Sequence, residues 1–431
     1  MSLRRFLAWQ IAQIRRGGAA VLKSKLREAL RRGVETMLMV PAVAVVVALR
    51  AVRPCVLVRL HSLNDTNIGH FAANTEMYLC ERDAGINVPS QRHVDIVHAS
   101  GHPVCNQQLF QMWKRSIGVW PGWLMQPVWL ATDYVPGGSV HQAYGSQADR
   151  DVHNLLDRSS AHLQFTAEED AWGQAQLRAM GIPLHAPFVC LIVRDAAYEE
   201  SRQYQPAATL SIHTYRNCNV QNFVLASEEL ARRGYWVIRM GAKVQEAMRS
   251  RHPRIIDYAT KGIRTDFMDV YLGATCTFCL STGTGWDEIP TIFRRPIAYA
   301  SHPPLAGLYT FSERFLNLTK QYYSLRENRE LTLSEIVASG VAMALEDEFF
   351  RAADVRLVES TPEEIRDLAV EMAERLDATW RPEARDAALQ ARFWALFPRH
   401  LPDPYNGAPL HGVIRSRYGA VFLRNNPKWL Q

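Results

Sequence analysis

The chain has 431 residues, 48% of them hydrophobic and 21% charged, which excludes a disordered or fibrous protein and exceeds what one ordinary core accommodates. Its formal charge is +6, yet the first fifty residues hold ten Lys/Arg against two acids, so the rest is slightly acidic. That asymmetry argues against a nucleic-acid binder, which spreads cations over a folded face. Seven cysteines without framework spacing point to reduced thiols in a cytoplasmic setting. The pair Cys276 and Cys279 lacks a second pair or nearby histidines, so no zinc site is expected.

Residues 1–50 read as an arm. Leu3, Phe6, Leu7, Ile11 and Ile14 fall at helical spacing, flanked by arginines, and Gly17-Gly18 ends the segment. Basic residues at 23–32 precede the uncharged run Met37–Leu49. As helix that run reaches only about 20 Å, short of the roughly 30 Å hydrocarbon core. The leader is too long for a signal peptide. The expectation is an in-plane or re-entrant anchor on an anionic membrane surface, which sets a peripheral or monotopic place on the cytoplasmic face of an inner membrane.

A first lobe, 51–182, opens with a strand from Pro54 to Leu60. The turn Asn64–His70 leads into a helix over Phe71–Cys80, and Val94–Ala99 is a second strand. Residues 101–135 carry four tryptophans and read as packed loops and short helices. Asp149-Arg-Asp151 is the one D-x-D motif, and it reads as a helix start rather than a metal site. Thr166-Ala-Glu-Glu169 is a capping box for a helix ending at Gly181-Ile-Pro183.

A second lobe, 183–345, alternates strands and helices. Pro187–Val193, Tyr235–Met240 and Ile255–Tyr258 read as strands, Asn222–Arg233 and Asp266–Leu272 as helices. Such alternation argues a parallel sheet, with ligands off the carboxyl ends of its strands. The stretch Cys276–Ala300 is the most telling. An apolar run stops at Ser281-Thr-Gly-Thr-Gly285, a helix begins near Asp287 and Glu288, and a second apolar run follows. Glycines admit close backbone approach, so Ser281, Thr282, Gly283, Thr284 and Gly285 are expected to hold phosphate, with Glu288 on a ribose hydroxyl. No lysine follows, so this is not a P-loop, and Glu288 replaces the third glycine of a dinucleotide fingerprint, which disfavours an oxidoreductase. The remaining residues, 346–431, read as helices and a tail packing back across the lobes.

Other polar clusters follow neighbouring strands: Arg194, Asp195 and Tyr198; Arg239 and Gly241; Asp257 and Tyr258. His213, Tyr215, Arg216 and Asn217 add a donor-rich turn. Arg194, Arg216 and Arg239 offer cations for one diphosphate in place of a metal, because a guanidinium bonds two oxygens at once. In the first lobe His70 is the candidate base, since imidazole exchanges protons near neutrality, with Asp65 and Glu76 as rivals.

These residues resemble a family of glycosyltransferases found in bacterial surface-carbohydrate gene clusters. The resemblance rests on 67–72 and 74–81, His213–Asn217, 235–241, 256–259, 266–274 and 281–296, and covers most of 50–430. It implies a GT-B architecture: an α/β fold of two Rossmann-like lobes with parallel sheets, the nucleotide-sugar donor on the C-terminal lobe, a glycan or lipid-linked acceptor on the N-terminal lobe, and metal-independent chemistry without a cofactor. Ser281–Gly285 also looks like the phosphate loop of heptosyltransferases, which carry an aspartate after the glycine of the first turn where this chain has His70. The alternatives are a sugar-nucleotide epimerase on the same fold and a non-catalytic scaffold of a polysaccharide assembly complex.

Overall fold

In the computed structural model, residues 22–431 are described except 24, 27–28, 31–32, 34–35, 146–149, 199–212 and 404–405. The segment Leu3–Ile14 and Asp149 lie outside them.

The fold is α/β, with a parallel sheet in each of two lobes. In the first lobe β1 (Leu57–Ser62) and β2 (His93–His98) pair in parallel, Leu57 opposite His93, around the helix Ile68–Asp83. Single bridges extend the pair, Leu60 to Gln142 and His98 to Trp120. Arg59 clamps the two strands through a bidentate pair with Asp95, at 2.7 and 2.6 Å. A helix over 36–52 and the helix Gly122–Ala131 pack nearby, where Ala42 and Val46 meet Leu60, Val128 and Ala131.

The second lobe holds a seven-stranded sheet of β3 (Phe188–Ile192), β4 (Trp236–Met240), β5 (Ile255–Ile256), β6 (Phe278–Ser281), β7 (Ile297–Tyr299), β8 (Phe315–Asn317) and β12 (Arg417–Tyr418). All pairs are parallel, and the order is β12-β8-β7-β6-β3-β4-β5. Both faces are buried, as parallel sheets require, so the strands read as unbroken apolar runs. Alternation still sorts them. Val189, Leu191 and Val193 enter one core with the helices Val224–Arg232 and Pro362–Leu376, while Phe188, Cys190 and Ile192 enter another. A small antiparallel sheet of β9 (Gln321–Ser324), β10 (Arg329–Glu330) and β11 (Val355–Val358), in the order β10-β9-β11, lies outside this layer.

The C-terminal region belongs to the second lobe. Phe393, Phe422 and Trp429 pack in the first of those two cores, and β12 extends the main sheet. The tail reaches back to the first lobe, where Asn154 donates to Val413 O and Arg415 to Asp157.

The second core is shared between the lobes. Phe71, Met77, Leu79 and Trp113 join Cys190, Met240 and Ile289 in it. The tightest point is backbone against backbone: a Cβ on Gly69 would stand 2.7 Å from Gly285 Cα. Gly69→Ala is therefore expected to cost about 1–3 kcal/mol by forcing the lobes apart. A denaturant midpoint unchanged from wild type would show that the contact yields freely.

All seven cysteines are free thiols. Cys276 is buried and bonds Gly273 O at 3.3 Å, in keeping with a packing role.

Candidate active site

The reversal of strand order falls between β3 and β6: chain progress runs one way to β4 and β5 and the other way to β7 and β8. A parallel sheet opens a crevice at the carboxyl ends on either side of such a point. A cleft of about 690 Å³ lies there. From the second lobe it is lined by Arg194, Asp195 and Tyr198 after β3, Gly241 and Lys243 after β4, and Thr284, Gly285, Trp286 and Glu288 after β6. Arg216, Arg264 and Asp269 complete that wall, while Asn67, Ile68, Gly69, His70 and Cys105 form the first lobe's side.

The loops that carry Arg194 and Arg216 are fastened by identifiable bonds. The turn Thr214–Arg216 is fastened by Asp347, whose carboxylate accepts from Thr214 N at 2.9 Å and Tyr215 N at 2.7 Å. Arg216 then donates from Nη2 to Gly283 O at 2.8 Å. Among the described residues that is the guanidinium's one hydrogen bond, which leaves the rest of its five donors. Arg194 N donates to Thr282 Oγ1 at 2.9 Å, fixing the loop after β3 to the loop after β6. Asp195 accepts from Ala197 N and Gln245 N, both at 2.9 Å, so it shapes two cleft loops. Lys243 is exposed and has no ion pair among the described residues.

Arg264 and Asp269 form a pair at 2.5 Å in the cleft wall. Burial pushes the Asp269 carboxyl up to about 6, against the pull of Arg264. Trp286 Nε1 donates to Asp269 O at 3.1 Å and fixes the helix Asp266–Thr275 beneath the cleft.

The glycine loop differs from expectation. Ser281 Oγ accepts from Gly283 N at 2.9 Å and donates to Asp287 at 2.5 Å, and Asp287 also accepts from Thr284 N at 2.8 Å. Two of the amides expected on a phosphate are thus used within the loop, and Ser281 and Thr282 are fully buried. Gly283 sits at φ +80, and a Cβ there would come 2.0 Å from His302 Cδ2, so the loop requires glycine for its own shape. Thr284 and Gly285 do reach the cleft.

Several other expected site residues serve the scaffold. Arg239 is fully buried on β4, beside Leu191, and bonds Glu246 O at 2.8 Å and Asp257 at 3.2 Å. Asp257 also accepts from Met248 N, and Tyr258 accepts from Thr265 N at 2.9 Å. His213 is bonded to Leu345 O at 3.1 Å, and Tyr215 and Asn217 line a separate surface cleft with Lys320, Asp347 and Glu359. Asp151 is buried and accepts from Leu155 N and Leu156 N, so its carboxylate ends a turn.

Of the three first-lobe candidates only His70 is exposed and in the cleft. Asp65 is fully buried, accepting from Ser100 N at 3.1 Å and from the Ser100 hydroxyl. Glu76 is buried at the lobe interface, where Arg294 Nη2 meets Oε1 at 2.6 Å and His162 Nδ1 meets it at 3.1 Å. Neither lines the cleft. Glu76, Cys80 and His162 are the one group with metal-ligand spacing among the described residues. The Arg294 guanidinium already occupies the same carboxylate oxygen, so they form an ion network.

That network holds a proton. His162 Nε2 also faces Asp83, at 2.9 Å. The Cys80 thiol, then Glu76, hold the imidazole in its charged form up to about 10. The folded state therefore binds a proton more tightly than the unfolded chain, whose histidine loses it near 6.5. The resulting stability is complete below pH ~6.5 and is lost as pH rises towards 10. Thermal midpoints are expected to fall over that window in the wild type and to fall less in His162→Gln. Parallel slopes would overturn this reading.

Lys243, Arg264, Asp269 and Trp286 escape sequence reasoning. Lys243 was within reach, two residues beyond the glycine that ends β4. Nothing local marks the others.

No protein-family model matches the chain, and no curated protein does. Among solved structures it is similar to a glycosyl transferase family 9 protein from Veillonella parvula, at 11% identity and a TM-score of 0.41, over 74% of this chain and 96% of that one. It is also similar to the ADP-heptose LPS heptosyltransferase II of E. coli, at 10% identity and 0.33, over 60% and 90%. A third similar structure is described as a UDP-N-acetylglucosamine 2-epimerase, from Listeria monocytogenes, at 9% and 0.28, over 76% and 98%. Likeness at this level says nothing about activity, which rests on the cleft itself.

Proposed function

We propose that this chain is a nucleotide-sugar-dependent glycosyltransferase of metal-independent type, acting on a glycan or lipid-linked acceptor of the bacterial surface. The observation that carries the reading is the cleft at the reversal of strand order, with Arg194, Arg216 and Lys243 on one wall and His70 on the other. The three cations suit a diphosphate, and their side chains take over the task first expected of the glycine-loop amides. Glu288, buried at the cleft beside Gly285, fits a ribose hydroxyl.

In the reaction an acceptor hydroxyl attacks the anomeric carbon. The bond from that carbon to the diphosphate oxygen breaks, and the nucleoside diphosphate leaves with the electron pair. His70 takes the hydroxyl proton. Charge grows on the leaving oxygens, so fixed guanidinium groups stabilise the transition state more than the ground state. The closed lobe interface keeps those groups in place without reorganisation.

The test is thermal unfolding against nucleoside diphosphates and their sugars, followed by product analysis with and without acceptor. A ligand at 100 times its Kd adds about 2.7 kcal/mol of stability. His70→Ala is expected to fold and bind donor normally while losing about 10²–10⁴-fold in turnover. No shift with any nucleotide, or wild-type turnover in His70→Ala, would respectively remove the function or the base.

A further inference from the structure

We propose that the helix over 36–52, together with the exposed leucines that precede it, docks this protein in the plane of an anionic lipid bilayer. The helix over 36–52 touches the fold through one narrow stripe, in which Ala42 and Val46 are buried and Met39 and Val43 partly so. Its far side is open. Val40 is 79% exposed and Val47 52%, and Met37 and Val45 are exposed with them. No charged side chain occurs from 37 to 49. A helix facing water carries charge on its outer face, and this one carries none. Upstream, Leu22, Leu26 and Leu30 recur every fourth residue at helical positions, and all three are exposed. Several large apolar side chains exposed on one short segment mark an interaction face.

Charge selects the occupant. Lys23, Lys25, Arg27, Arg31 and Arg32 intersperse the leucines, and the segment is strongly cationic. A second copy would bring like charges together, whereas acidic headgroups complement them. Among the described residues no helix is long and apolar enough to cross a membrane. The uncharged run 37–49 spans about 20 Å as helix, which suits a helix lying in the plane of the interface. The fold also holds the helix against the first lobe: Arg50 donates to Gly137 O at 2.9 Å, close to where the helix ends. On the helix packed against it, Trp123 is 68% exposed, an aromatic suited to the boundary between headgroups and acyl chains.

The inference does not depend on the catalytic reading. Full-length protein would be floated with phosphatidylcholine vesicles, with and without about 30% phosphatidylglycerol. Wild type is expected to float with the anionic vesicles at least about tenfold better, and high salt should weaken it. Val40→Glu with Val47→Glu should reduce flotation by about tenfold or more. Both side chains face solvent, so the thermal midpoint and any nucleotide-induced shift should stay as in wild type. Wild type that stays at the bottom with both vesicles overturns the proposal. So does a double variant that floats like wild type, or a wild-type dimer that the variant turns into monomer without any vesicle binding.

Discussion

Arg216→Ala is expected to lower turnover by about 10²–10³-fold, the usual cost of removing one preorganised donor from developing charge. The residue is half-buried in the cleft wall, fixed by one bond to Gly283 O and by the Asp347 clamp on its turn. Its position is set by the fold before any ligand arrives, which is what makes such a group effective in the transition state. Arg216→Lys keeps the charge and loses the fork, so an intermediate rate is expected. The informative comparison is kcat against KM for the donor that gives a thermal shift. A loss mainly in kcat marks transition-state stabilisation, and a change in KM alone marks ordinary binding. Wild-type kcat and KM in both variants would remove Arg216 from the chemistry.

Arg294→Ala is expected to destabilise the protein by about 3–5 kcal/mol, at the low end because His162 still faces Glu76. Glu76 is only 1% exposed, and Arg294 is its shortest partner, with further bonds to Ser159 O and Ser160 O. Removing the guanidinium leaves a buried carboxylate between the lobes and orphans those carbonyls. Glu76→Met with Arg294→Met should recover most of the loss, since neither charge then remains buried. Denaturant midpoints decide it, and a cost under about 1 kcal/mol for Arg294→Ala would contradict a closed interface. The same variants separate structure from chemistry. Glu76→Gln should change stability and leave per-molecule turnover intact, which a catalytic base would not allow.

The sequence carries some of these distinctions and hides others. Arg239 lies inside β4, two residues from Val237, so alternation puts its side chain on the sheet face that Val237 shares. Arg194 lies beyond the end of β3 and is free of that constraint, and it reaches the cleft. Both are arginines near strand ends, and only their parity and position distinguish them. The glycine loop is the opposite case. Its composition announces a tight turn, and nothing local reveals that Asp287 folds back to take the Ser281 hydroxyl and the Thr284 amide. Glu76 likewise looks like a polar residue nearly two helical turns from His70, until Arg294, from the other lobe, claims it.

By itself the sequence determined the alternation of strands and helices, the parallel sheet of the second lobe, and the uneven charge of the arm. These follow from hydrophobic period, caps and glycines, which act over a few residues and can be read in a line. Only the tertiary structure decided which polar groups remain available to a ligand. Arg264, Asp269 and Lys243 become neighbours of Arg194 through the order β6-β3-β4-β5, and Asp65, Glu76 and Arg239 are consumed by partners in the fold. A buried polar group must find a partner somewhere, and how far along the chain that partner lies is set by packing, which leaves no local mark.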